Sequence, residues 1–184
     1  MANDADFSRA LAQVKEYEGG WSNHAADPGG LTKWGITIVT LRALGLDFNR
    51  DGRTDAADLR AMTPEQAAGV YRRNYWQAAR CPDLPAPLAF LVFDSAVNQG
   101  VGRAVRLLQA AVGAKVDGAF GPATLRAVNA AWVRDPLGLL AEFQARRGVH
   151  YGSLGIFKHF GLGWMRRLIG GHGVAVRWHL GVLS

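Results

Sequence analysis

An amphipathic helix that runs into two glycines constrains this chain most. Phe7, Leu11 and Val14 recur at helical spacing and make one apolar stripe. Gly19-Gly20 is a stop signal, so the sequence predicts a helix over 4–18 with Glu18 in its last turn. The negative end of the helix dipole disfavours a charged carboxyl there, and an apolar wall such as Trp21 adds to the effect. Both favour a group that keeps its proton near neutral pH, as a general acid must. Beyond it come Asn23, Asp27-Pro28-Gly29-Gly30, Thr32 and Gly35-Ile36-Thr37, a stretch rich in glycine and small polar residues. A turn at Asp27 would set a second carboxylate opposite the first, and two carboxyls in one cleft are the minimum for glycoside hydrolysis. The same residues also read as a solvated helix end followed by ordinary turns.

Composition narrows the classes. Hydrophobic residues make up 49% of the 184 and charged residues 20%, a globular balance. No uninterrupted apolar run is long enough to span a bilayer. Residues 1–8 are polar and acidic, which predicts synthesis in the cytoplasm without a cleavable signal. Cys81 is the one cysteine, so the fold cannot depend on an internal disulfide. Residues 1–96 carry 10 basic and 12 acidic groups, whereas residues 97–184 carry 11 basic and 3 acidic. A basic half suits an anionic polymer, either nucleic acid or bacterial wall. No helix-turn-helix, zinc-finger or RNA-binding signature is present, so nucleic acid is not the expected partner. A salt-sensitive nucleic-acid binder is the weakest of the readings carried here.

Along the chain, Trp34, Ile36 and Ile38 alternate as in a short hairpin, and residues 37–43 read as a helix. Residues 47–58 place oxygen side chains at loop positions 1, 3, 5, 9 and 12, namely Asp47, Asn49, Asp51, Asp55 and Asp58, with Gly52 at position 6. This is EF-hand spacing, in which Arg53 would offer its backbone carbonyl, so a structural calcium is expected. Asp58 departs from the usual Glu, and a solvated acidic turn is the alternative. Thr63-Pro64-Glu65-Gln66 starts a helix with a capping box. Residues 87–99 read as a buried helix on which Asp94 and Asn98 share a polar face. Such a face needs partners or a cleft. Asp94, Asn98 and Gln99 are therefore either substrate-binding residues or internally satisfied polar groups. Residues 101–112 form a further helix, Gly118 and Gly121 a tight turn, and Asp135-Pro136 another helix start. Residues 170–184 are interrupted by glycine and carry no clear periodicity.

The run EGGWSNHAADPGGLTKWGIT (18–37) closely resembles the opening of the glycoside hydrolase 108 family of N-acetylmuramidases. YRRNYW (71–76), FDSAVNQG (93–100) and F-x-x-G-W-x-x-R (160–167) resemble later family segments, and DGAFGPATL (117–125) resembles the turn of peptidoglycan-binding domains. The resemblance covers residues 7–168, with 47–58 as an insertion. It implies a mainly α, lysozyme-like compact fold with a small loop or hairpin region after the first helix. It also implies a catalytic part at 5–96 and a peptidoglycan-binding part at 97–178, packed as one body. Glu18 is implied as the catalytic acid, with Asp27 and Thr32 beside it. Trp21, Asn23, Thr37, Asp94, Asn98 and Gln99 are the expected substrate contacts. No cofactor is expected for the chemistry, and the protein is expected to be a monomer. Peptidoglycan is the expected partner, reached in the periplasm or wall by holin- or lysis-dependent release. The rival reading is a non-catalytic wall-binding or structural protein.

Overall fold

The structure, a computed structural model, describes residues 1–18 and 32–182. The chain packs as two units, residues 11–72 and residues 1–10 with 73–184. Helix α1 (Asp4–Glu18) contributes its first turns to the second unit and the rest to the first. Glu18 is the last described residue of α1, and Gly19-Gly20 lie outside the described residues.

In residues 11–72 a hairpin follows, β1 (Thr32–Lys33) and β2 (Ile36–Thr37), antiparallel, with Thr32 opposite Thr37 and Lys33 opposite Ile36. The two-residue connection Trp34-Gly35 has positive φ at both positions, 55° and 76°. That mirror-image turn matches the right-handed twist of paired strands. Ile36 points into the core, whereas Ile38 opens helix α2 (Ile38–Leu44). Thr37 ends the strand and caps that helix, its Oγ1 accepting from the Thr40 N–H at 3.0 Å. Helices α3 (Ala56–Ala61) and α4 (Pro64–Tyr71) complete the unit. The capping box is formed by Thr63 and Gln66 as expected. Tyr71 donates its hydroxyl proton to the Trp34 carbonyl at 3.2 Å, and the Lys33 ammonium donates to the Arg60 carbonyl. Leu11, Val14, Ile36, Leu41, Leu59, Met62, Val70 and Tyr71 form the core.

In the other unit α5 (Ala86–Gln99) is central, and every residue from Pro87 to Ala96 is buried. Helices α6 (Val101–Ala111), α8 (Pro136–Gly152) and α9 (Phe157–His179) pack on it, and α7 (Pro122–Arg134) packs on α8. Trp76, in a π-helical segment Arg72–Gln77, meets Phe7 and Phe93 edge to face with centroids 5.5 Å away in each case. Tyr71 and Trp76 of the YRRNYW run are thus core residues. The expected border at 96/97 falls at the end of α5, but α5 packs with α6, α8 and α9. By contact the chain divides at 10/11 and 72/73. Helix α9 runs through residues 157–179 despite Gly161, Gly163, Gly170, Gly171 and Gly173. Each interior glycine costs about 1 kcal/mol of helix propensity, so packing holds this helix. At Gly161 an added Cβ would lie 2.9 Å from the Phe157 ring.

Candidate active site

Glu18 is the last residue of α1. Trp21, Asn23 and Asp27 lie outside the described residues. Thr32 and Thr37, five apart in sequence, become direct cross-strand partners through the Trp34-Gly35 turn. Cross-strand neighbours have Cβ atoms roughly 5 Å apart, so two expected site threonines share the base of one hairpin. The Lys15 ammonium sits 5.9 Å from the centroid of the Trp34 ring, which fixes the tip of the hairpin against α1.

Asp94, Asn98 and Gln99 gather in one hydrogen-bond network on the interior side of α5, in the other unit. Asp94 is fully buried. Its Oδ2 accepts from Arg147 Nη1 at 2.8 Å, and its Oδ1 accepts from Arg167 Nε at 2.9 Å. Arg147 is also fully buried. Its other donors reach Gln99 Oε1 at 3.2 Å, Gln144 Oε1 at 3.1 Å and the Tyr151 hydroxyl at 3.2 Å. A guanidinium withdrawn from water costs several kcal/mol unless paired and hydrogen-bonded, and this one is both. Tyr151 donates to Asn98 Oδ1 at 2.6 Å, and Ser95 Oγ lies 2.8 Å from Gln99 Oε1. Asp94, expected among the substrate contacts, thus serves two arginines inside the protein and has no oxygen left for sugar. Asn98 is exposed and Gln99 half-buried. Sequence reasoning missed Arg147 and Tyr151. Arg147 sits in a run, QARRG, where one buried arginine looks like any solvated pair.

The loop at 47–58 turns sharply, with positive φ at Arg50 (63°) and Gly52 (84°). Its carboxylates accept backbone N–H groups. Asp47 Oδ1 accepts from Arg50 at 2.6 Å and Oδ2 from Gly52 at 2.8 Å. Asp58 is buried and accepts from Phe48, Asn49 and Asp55, at 2.7, 3.1 and 2.9 Å. The Asp55 and Asn49 amides hold its carboxyl below the usual carboxylate range. Asp55 caps α3, accepting from the Ala57 N–H at 2.7 Å. Asn49 and Asp51 bond each other, and Asp51 Oδ1 accepts from the Arg53 N–H at 2.9 Å. Among the described residues no group of three or more His, Cys, Asp or Glu side chains is gathered as a metal needs. The expected calcium loop is therefore present as a turn, with its oxygens occupied by N–H donors.

The DGAFGPATL turn is built around Gln109 of α6. Its amide nitrogen reaches Asp117 Oδ1 at 2.9 Å, the Ala119 carbonyl at 3.1 Å and Thr124 Oγ1 at 3.2 Å, while its oxygen accepts from the Gly118 N–H at 2.8 Å. Gly118 has φ 80° and lies against the Arg106 guanidinium. The motif's side chains therefore shape the turn.

Residues 11–100 match the family described as Glycosyl hydrolase 108. Residues 103–169 match one described as Predicted Peptidoglycan domain. No curated protein matches the chain. Among solved structures it is similar to SagA of Brucella abortus, with 35% identity over 95% of each chain and a TM-score of 0.81.

Proposed function

Because the chain belongs to the glycosyl hydrolase 108 family, with a peptidoglycan domain after the hydrolase span, we propose that this peptidoglycan hydrolase is an N-acetylmuramidase. It cleaves the β-1,4 bond from N-acetylmuramic acid to N-acetylglucosamine. The observation that carries the reading is the position of Glu18, the last residue of α1 inside the hydrolase span, followed in sequence by two glycines. Glu18 protonates the glycosidic oxygen, so N-acetylglucosamine departs as an alcohol while positive charge builds on the ring of the N-acetylmuramic acid left behind. Asp27 supplies the second carboxylate, which either steadies that charge or activates water. Thr32 and Thr37 position the water, Asn98 and Gln99 bind acetamido groups of the glycan, and Trp21 and Asn23 contact sugar. No metal or cofactor is required for these steps.

The products name the bond. Mass spectrometry of digested sacculi is expected to give muropeptides with reducing-end N-acetylmuramic acid. Reducing-end N-acetylglucosamine would instead identify a glucosaminidase. Pelleting with sacculi that release no reducing ends would favour a wall-binding protein. The anomer released first decides which role Asp27 takes.

Calcium at residues 47–58 is a separate proposal, supported by oxygen spacing and the sharp turn at Gly52. Binding would draw Asp47, Asn49, Asp51, Asp55 and Asp58, with the Arg53 carbonyl, onto one hard cation. At a hundredfold excess over its dissociation constant the ion would add about 2.7 kcal/mol of stability. The melting temperature should rise in millimolar calcium and fall back with chelator. Neither a shift nor titration heat would mean that the turn binds no ion.

A further inference from the structure

Helix α9 has an inner and an outer face of different make. The inner face is anchored. Gly171, Val174 and Ala175 are buried, and Arg167 Nε donates to Asp94 Oδ1 at 2.9 Å. The Leu168 carbonyl accepts from Gln144 Nε2 of α8 at 2.8 Å. These anchors fix the rotation of the helix about its axis, so the side turned to solvent is set in advance.

The outer face carries large apolar side chains. Leu162 is 66% exposed, Ile169 68% and Leu180, the residue after the last turn, 61%. Leu162 and Ile169 are seven residues apart and Ile169 and Leu180 eleven, spacings of about two and three helical turns. The three therefore follow one line along the axis. A single exposed leucine means little, but a line of apolar side chains on one helix marks a contact surface. Lys158 precedes Leu162 by one turn, and Arg166 and Arg177 run along one edge of the line. All three cations are exposed. Residues 143–184 contain no Asp or Glu. Among the described residues no carboxylate pairs with Lys158, Arg166 or Arg177.

A partner for this face must offer anions at its surface and hydrocarbon beneath them. A hydrophilic polyanion would satisfy the cations and leave the apolar line in water. A second copy of the same face would cover the line and oppose like charges. A bilayer with anionic headgroups meets both demands, because an amphipathic helix lies in the headgroup plane with its apolar side against the acyl chains. Among the described residues no helix is long and apolar enough to cross a membrane, and the contact meant here is along the surface.

We propose that the outer face of α9 docks on an anionic phospholipid surface. Leu162, Ile169 and Leu180 insert, and Lys158, Arg166 and Arg177 meet the headgroup phosphates. This contact is independent of which bond the chain cuts.

Co-sedimentation of the full chain with lipid vesicles tests it. Binding to vesicles of equal parts phosphatidylglycerol and phosphatidylcholine should be at least about tenfold tighter than to phosphatidylcholine alone, and should weaken with added salt. Leu162→Gln with Ile169→Gln keeps every charge and should weaken binding to the anionic vesicles at least about tenfold. Arg166→Gln with Arg177→Gln keeps the apolar line and should weaken it about fivefold for each cation. All four positions are exposed, so both variants should melt at the wild-type temperature. Both should also release reducing ends from lipid-free peptidoglycan as wild type does. A loss of that release would place the face on glycan and overturn the proposal. No binding to anionic vesicles, equal binding to neutral ones, or glutamine variants that bind like wild type would overturn it too. So would a chain that dimerises in buffer through Leu162 and Ile169.

Discussion

Glu18→Gln is expected to abolish the release of reducing ends from purified peptidoglycan while leaving the melting temperature within a degree or two of wild type. The substitution keeps the size and the hydrogen-bonding atoms of the side chain and removes only its transferable proton. General acid catalysis contributes about 10²–10⁴-fold, so turnover should fall by at least about a hundredfold. Position supports the choice of this acid. The residue is the last of α1 and lies inside the hydrolase span. Glu16, one turn-face away, is a control. Its amide variant should retain full activity. Activity in Glu18→Gln comparable to wild type would remove this residue from the mechanism and send the search for the acid elsewhere in the hydrolase span.

Asp94→Ala is expected to cause the largest loss of stability of any single change in the α5–α9 unit. Its carboxylate is fully buried between Arg147, itself fully buried, and Arg167. Removing one partner of a buried ion pair costs about 3–5 kcal/mol, because the remaining charge is left without compensation. In a chain of this size each kcal/mol moves the melting temperature by roughly 2–4 °C, so a drop of about 10 °C is expected. The companion variant Asp94→Leu with Arg147→Met removes both charges and should recover a large part of that loss. Melting of Asp94→Ala at the wild-type temperature would show that the pair does not secure α5 to α8.

The elements that could be read in the sequence are those whose signals are local. Thr63 and Gln66 form a capping box, and Asp135 caps α8 through the Gly138 N–H at 2.8 Å. Alternation at Trp34 and Ile36 announces the hairpin. Helix α9 was not legible, because five glycines lower its propensity and its reason for being helical is the neighbouring α5 and α8. The candidate site divides in the same way. The polar face of α5 can be read from the four-residue spacing of Asp94 and Asn98. Which of the two is free depends on Arg147, 53 residues beyond Asp94. No local pattern distinguishes that arginine from Arg146, which pairs with Glu142 on the surface of the same helix.

The two-residue connection at Trp34-Gly35 sets a strict rule for change in this part of the chain. Both positions adopt left-handed backbone angles, and the pairing of Thr32 with Thr37 counts residues through them. One inserted residue would shift the register and send Ile36 to solvent and its neighbours inward. Homologous sequences should therefore keep the spacing from Lys33 to Ile36 constant.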